Sequence, residues 1–248
     1  MKQCLNCGNS LKGPFCEQCG QKSSTHRLSM KHFVQHDLVH GLWHVDKGLL
    51  HTMWQLLRRP GSFLNQYLEG KRVGAFNVVT MLLIGTGLLL FISNFQGQIG
   101  EVEASLEKAE GTQQVINIFK FLEHNAKWLI LALIPIFSLA SFIVFQRRNY
   151  FYTEHLVINS YIFGMFLFLM LLFSLLFRLP FLAGAQDADL AFFISVLYLV
   201  YAYWQTWRPC YGVAGLLLRF LGVFLLAFLF TLMLGFIAVW LTAKFSEK

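Results

Sequence analysis

The sequence predicts an all-α integral membrane protein: about five transmembrane helices, preceded by an amphipathic interfacial helix and a small N-terminal zinc ribbon. Three observations carry this. The 248 residues are 56% hydrophobic, with a mean hydropathy of +0.54, far more apolar than a soluble domain of that length. The apolar residues come in blocks close to the ~20 needed to cross a hydrocarbon layer. Ahead of every block stand two closely spaced cysteine pairs, Cys4-x2-Cys7 and Cys16-x2-Cys19.

Glycine follows each pair, at Gly8 and Gly20. That suits a knuckle, whose turn after the second cysteine needs a positive φ and frees backbone N–H groups to face thiolate sulfur. Between the pairs lie only residues 8–15, too few to bury a core, so the head must fold on metal. Four thiolates satisfy tetrahedral zinc; rubredoxin-like iron and two disulfides are the alternatives. A closed four-cysteine site leaves no open coordination position and reads as structural. Met1 to Gln21 holds no apolar run, so no secretory signal is expected and the head stays on the side where it is made, where reducing conditions favour metal over disulfide. Cys210, the odd cysteine, reads as a small buried apolar residue.

From Leu28 to Arg59, Val34, Leu38, Leu42, Val45, Leu49, Met53 and Leu56 recur at three- and four-residue steps, which makes one apolar stripe on a long surface helix. The opposite face carries His36, His40, His44 and His51, with Trp43 and Trp54 as interface anchors. Pro60-Gly61 stops that helix. A short helix over Ser62 to Leu68 closes at Gly70, so that Lys71-Arg72 emerges where the first span begins. The chain thus divides into a ribbon at 1–22, an interfacial segment at 23–73 and a bundle at 74–248. Spans are expected at about 75–95, 128–145, 156–177, 190–207 and 219–241, with an extramembrane loop at 96–127. No internal repeat is read.

Half of the 20 lysines and arginines precede the first span, and Arg147-Arg148 follow the second. The positive-inside rule then places the head and the 147–148 turn in the cytoplasm and the acidic 96–127 segment outside; an odd number of spans puts the C-terminus outside too. The net charge of +7 is spread along span ends. It points to membrane lipids as partners, and no nucleic acid is expected.

The double Cys-x2-Cys-Gly head, His44-Val45-Asp46-Lys47-Gly48-Leu49-Leu50-x-Thr52, Arg59-Pro60-Gly61-x5-Tyr67-x2-Gly70-Lys71-Arg72 and Tyr152-x-Glu154-His155-Leu156-Val157 together resemble an uncharacterised family of bacterial multi-pass membrane proteins with an N-terminal zinc ribbon. The resemblance covers residues 4 to about 160, and the Pro-Gly to Gly-Lys-Arg motif is its specific part. Where members often carry a proline shortly after Gly-Lys-Arg, this chain has Asn77-Val78. The resemblance implies an inner-membrane location and a common fold, and no activity.

Three constellations are candidates for chemistry. His36/His40/His44 offers metal-chelating i, i+4 spacing twice, with Asp37 and Asp46 nearby, but a straight helix cannot bring three histidines to one ion; Glu154-His155 is the partner candidate. The plainer reading is a half-charged face in the headgroup zone. Glu154, His155, Asn159 and Ser160 open the third span and should face the bundle or a charge such as Arg147, Arg148 or Arg219, as an acid–base or metal site, or with Glu154 as a helix cap. Arg58, Arg59, Lys71, Arg72 and Arg219 are candidates for anionic lipid, with Arg219 otherwise snorkelling. No phosphate loop, nucleophile elbow or dinucleotide fingerprint occurs. Two functions follow: a zinc-ribbon-headed scaffold docking a cytoplasmic partner or lipid, or a small transporter or metal-dependent membrane enzyme with a His/Glu site at the cytoplasmic boundary.

Overall fold

The structure, a computed structural model, describes residues 2–26, 28, 30, 48–95, 126–146, 149–176 and 187–246. His36, His40, His44, Asp37, Asp46, Trp43, Arg147, Arg148 and nearly all of the 96–127 loop lie outside the described residues.

Seven helices follow the head among the described residues: α1 (Leu49–Arg58), α2 (Pro60–Leu68), α3 (Val78–Phe95), α4 (Ala126–Val144), α5 (Tyr152–Leu176), α6 (Asp187–Trp207) and α7 (Val213–Ser246). Each of the five expected apolar blocks is helical. Tyr152–Leu176, Leu190–Trp207 and Val213–Gly235 are long and apolar enough to cross a membrane, whereas Val78–Phe91 and Leu131–Val144 are shorter apolar stretches.

The longest buried run sits in α5, from Thr153 through Met165 to Leu169. Its apolar residues point in every direction because neighbours cover it all round: α3, α4 and α6 pack against it, and α7 packs on α4. Small residues set the α3–α5 spacing, Gly85 meeting Leu167 and Gly164 meeting Met81 at contact distance. Polar groups within the apolar helices satisfy themselves locally, as when Ser138, Ser195, Thr206 and Thr231 each donate to the carbonyl four residues back.

Among the boundaries that differ from expectation, two have a visible cause. The third block starts at Tyr152 rather than Leu156, because Glu154 reaches back to accept the Phe151 amide at 2.8 Å and so caps the helix one turn earlier. The last helix is continuous from Val213, and Arg219 does not divide it: its guanidinium donates to Gly215 O at 3.0 Å and lies 4.2 Å above the Tyr211 ring, so the charge is accommodated along its own helix.

The corner between α1 and α3 explains the glycines of the Pro-Gly to Gly-Lys-Arg segment. Pro60 takes the first position of α2, where its missing N–H costs nothing. A Cβ on Gly61 would run into the carbonyl oxygen of Gln205 and lie 2.9 Å from Thr206 N, so only glycine lets α2 cross the end of α6 backbone to backbone. Gly48 makes a similar close approach, to the carbonyl oxygen of Gly74 in the loop before α3. The loop from 69 to 77 is then tied down: Phe76 N donates to Thr52 Oγ1 at 2.8 Å, and Tyr161 donates to Phe76 O at 2.7 Å.

The head does contain an internal repeat, which the sequence reading missed. Cys4 N donates to Asn9 O, Gly8 N to Cys4 O and Leu11 N to Lys2 O; twelve residues on, Cys16 N donates to Gln21 O, Gly20 N to Cys16 O and Ser23 N to Pro14 O. Bridges at Gln3–Ser10 and Phe15–Lys22 repeat likewise. Beyond the Cys-x2-Cys-Gly signature only the amides Asn6/Gln18 and Asn9/Gln21 correspond, while the rest of the repeat is written in backbone hydrogen bonds.

Candidate functional site

The two knuckles bring Cys4, Cys7, Cys16 and Cys19 together, with all four sulfurs within 4.8 Å of one another. Gly8 and Gly20 take φ of 78° and 74°, the left-handed turn the spacing predicted. Cys4 Sγ lies 3.6 Å from Cys19 Sγ, and Cys7 Sγ 3.5 Å from Cys16 Sγ. A tetrahedral ion with metal–sulfur bonds of about 2.3 Å spaces its sulfurs about 3.8 Å apart, so the four are close enough to hold a metal ion, whereas a disulfide needs about 2 Å.

Electrostatics prepare the thiols for a cation. The Cys7 amide, aimed at Cys4 sulfur, outweighs burial and lowers that thiol to about 7, helped by the Asn6 amide and the Cys19 and Cys7 thiols. Cys16 is lowered in the same way by the amides of Cys19 and Gln18. The Asn9 amide also pulls Cys7 down, but desolvation and the three neighbouring thiols prevail and push it up to about 12. Without a cation, then, these sulfurs resist all becoming thiolates together, and a bound metal would replace the remaining protons.

The head is fastened to the body by the residue after its second knuckle. Gln21 is 6% exposed; its Nε2 donates to Gly70 O at 2.9 Å while its Oε1 accepts from Arg72 N at 3.1 Å. Arg72 returns the contact, donating to His26 O at 3.0 Å and stacking over Tyr67. Gly70, at φ 101°, lies under Leu5. Gln21 carries no sequence signal of this role: an amide in a polar loop resembles any solvated residue.

A second polar constellation lies at the same end of the bundle. Ser141 Oγ and His155 Nδ1 share a hydrogen bond of 2.8 Å, Asn159 Nδ2 donates to His155 O at 2.8 Å, and Tyr203 donates to Asn159 Oδ1. His155 is fully buried, stacked on Trp207 with ring centroids 5.3 Å apart, and Phe145 also stacks on Trp207, at 4.4 Å. Among the described residues, His155 Nε2 and Trp207 Nε1 are buried and find no hydrogen-bond partner. As expected, the structure brings His155 and Asn159 inward. Glu154 is buried as well, with Oε2 on its cap. Ser141, Tyr203 and Trp207 were not anticipated; the available signal was that a serine and a tyrosine inside apolar helices need partners.

Among the described residues, the four cysteines are the group of three or more His, Cys, Asp or Glu able to hold a metal. The second metal set expected from His40, His44, Glu154 and His155 has both upstream histidines outside the described residues. The five cations proposed for lipid part ways. Arg72 is occupied by the head and Arg219 by its own helix. Arg58 is exposed and stacks over Trp54, Arg59 is exposed, and Lys71 lies 4.0 Å from Glu69.

Residues 46–90 match the model of a family described as a protein of unknown function (DUF3667). The matched segment contains Gly48, Thr52, Pro60, Gly61, Tyr67, Gly70 and Arg72, the residues that build the corner under the head, and ends within α3. The likeness read over residues 4 to about 160 is supported over this segment. No curated protein and no solved structure matches the chain.

Proposed function

We propose that this chain is a bacterial inner-membrane scaffold: a zinc-ribbon head on the cytoplasmic side of a five-span bundle, presenting the ribbon to a cytoplasmic protein partner and its basic rim to membrane lipid. The observation that carries the reading is the closed four-sulfur cluster whose shell is hydrogen-bonded, through Gln21, to the loop opening the first apolar helix. Such a cluster offers no ligand position for catalysis, and it holds one surface rigidly against the membrane end of the body. Zinc is the metal that four thiolates at this spacing suit best. Phe15, 53% exposed on the head, is the apolar residue a partner would cover. Shorter apolar stretches in α3 and α4 can cross with flanking turns, as the charge asymmetry about them requires.

Metal counting on the purified protein tests the core of this. One zinc per chain is expected, lost in Cys16→Ser/Cys19→Ser while the protein stays in the membrane fraction; zero zinc in the wild type overturns the ribbon. A photo-crosslinker at Phe15 in living cells should give a discrete adduct, and its absence removes the partner. A fluorescent protein inactive outside the cytoplasm, fused after Lys248, should be dark; brightness sinks the five-span topology.

A second reading, a small transporter or membrane enzyme, draws on the buried His155 with its unpartnered Nε2, since buried ionisable groups in membrane helices are expensive to keep. A second metal equivalent that disappears in His40→Ala/His44→Ala would favour it.

A further inference from the structure

At the head-side end of α6 the surface sinks into an open depression of about 680 Å³ lined by Tyr201, Trp204, Gln205, Arg208 and Pro209. None of these residues belongs to the cations read from the sequence as lipid ligands. The wall is largely apolar, with the rings of Tyr201 and Trp204 on it. Its polar groups are organised: Gln205 Nε2 donates to Tyr201 Oη at 2.7 Å, and Tyr201 in turn donates to Arg58 O at 2.8 Å, which fixes the α1–α2 corner and its exposed arginines beside the depression. Arg208 is exposed, with its guanidinium 5.5 Å above the Trp204 ring. It sits one residue past the end of a helix long and apolar enough to cross a membrane.

We infer that this depression holds one anionic phospholipid, an acyl chain lying against Trp204 and Tyr201 and the phosphate on Arg208. The inference rests on the reading of α6 as a membrane span and gives the proposed lipid contact a particular site. Three features select this occupant. An apolar wall with a cation at one end matches a molecule that is apolar along its length and anionic at its head. Tryptophan and arginine at the end of a span occupy the depth where headgroups lie. The ring beneath Arg208 holds its guanidinium in place while leaving the N–H edges free for phosphate oxygens, which a guanidinium meets in bidentate fashion. Arg72 and Arg219, by contrast, already donate to backbone carbonyls.

The experiment is native mass spectrometry of the full chain, zinc-loaded, released from nanodiscs containing equal phosphatidylglycerol and phosphatidylcholine. Wild type should retain one phosphatidylglycerol. Arg208→Gln should weaken retention about fivefold, the effect of one near-surface charge, and adding Trp204→Ala should bring the loss to about tenfold or more. Arg208→Lys keeps the charge and should recover part of it, which separates a lost site from a misfolded protein. Lys12→Gln, which removes an exposed cation on the head, should change nothing at this site. Equal retention in wild type and Arg208→Gln overturns the inference, as does equal retention of phosphatidylcholine. Displacement of the lipid by millimolar inorganic phosphate overturns it in favour of a free-phosphate site. Extraction of the wild type from membranes by alkaline carbonate would instead remove the membrane reading itself, a failure distinguishable from that of the site.

Discussion

Replacing Gln21 with alanine should unfasten the head without touching its cysteines. The side chain makes two hydrogen bonds, from Nε2 to Gly70 O and from Arg72 N to Oε1, and both groups on the loop side are backbone. Truncation leaves a buried carbonyl and an amide unpaired, at a cost of about 1–1.5 kcal/mol each once partial rehydration is allowed for. The sum, about 2–3 kcal/mol, lowers the docked-to-undocked ratio about 30- to 150-fold. Arg72 cannot compensate, because its own bond to His26 O is made only while the head is in place. Hydrogen exchange read by mass spectrometry on the zinc-loaded protein is the assay. The Arg72 amide should lose protection by that factor, while amides inside the knuckles, such as Cys4 and Cys16, keep theirs. Gly70→Ala should give the same signature by another route, since its Cβ would lie 2.7 Å from Leu5 Cδ1 at a φ of 101°. Unchanged exchange at Arg72 in Gln21→Ala would show that the loop is held by the bundle alone and that the head merely rests on it.

Metal binding by the four cysteines should weaken on acidification. In the metal-free head Cys4 lies at about 7 rather than 9.0, so its thiolate contributes stability that is present above pH 9 and lost as pH falls through about 7; zinc added to the head should bind more weakly as pH falls, because protons compete for all four sulfurs, and equal zinc retention at pH 8 and pH 4 would contradict a four-thiolate site. Gly61→Ala should destabilise the body by about 2–3 kcal/mol, because its Cβ meets backbone of α6 rather than a movable side chain, whereas Gly87→Ala, with open space around it, should be neutral or slightly stabilising; a thermal-unfolding comparison in detergent that ranks the two equally would refute the packing argument. Tyr203→Phe should cost about 1–3 kcal/mol by leaving Asn159 Oδ1 buried and unpaired, and denaturant titration of the two proteins should show it.

Much of this protein was legible in the chain because long apolar runs and closely paired cysteines leave few structural choices. Long apolar runs bounded by polar segments favour helices, so all five blocks could be marked from composition, and two cysteine pairs each followed by glycine favour tight turns, so the approach of the four sulfurs and the turns at Gly8 and Gly20 were foreseen. The Glu154 cap could be anticipated too, since a carboxylate in a first helical turn has an amide within reach. Helix length was read less well: Glu154 starts α5 at Tyr152, and α7 runs unbroken past Arg219, because local hydrogen bonds decide where a helix begins and a long arginine can be absorbed by its own backbone.

What only the tertiary structure decided is which polar residues meet. Gln21 with Gly70 and Arg72, Ser141 with His155, and Tyr203 with Asn159 all join segments far apart in sequence or on different helices. Apolar burial is non-directional and is recorded residue by residue as hydropathy, so it survives in the one-dimensional pattern. A hydrogen bond needs its partner within about 3 Å at the right angle, and that condition belongs to the packing of helices, which brings Gln21 to a loop some fifty residues away and leaves His155 Nε2 with no partner among the described residues.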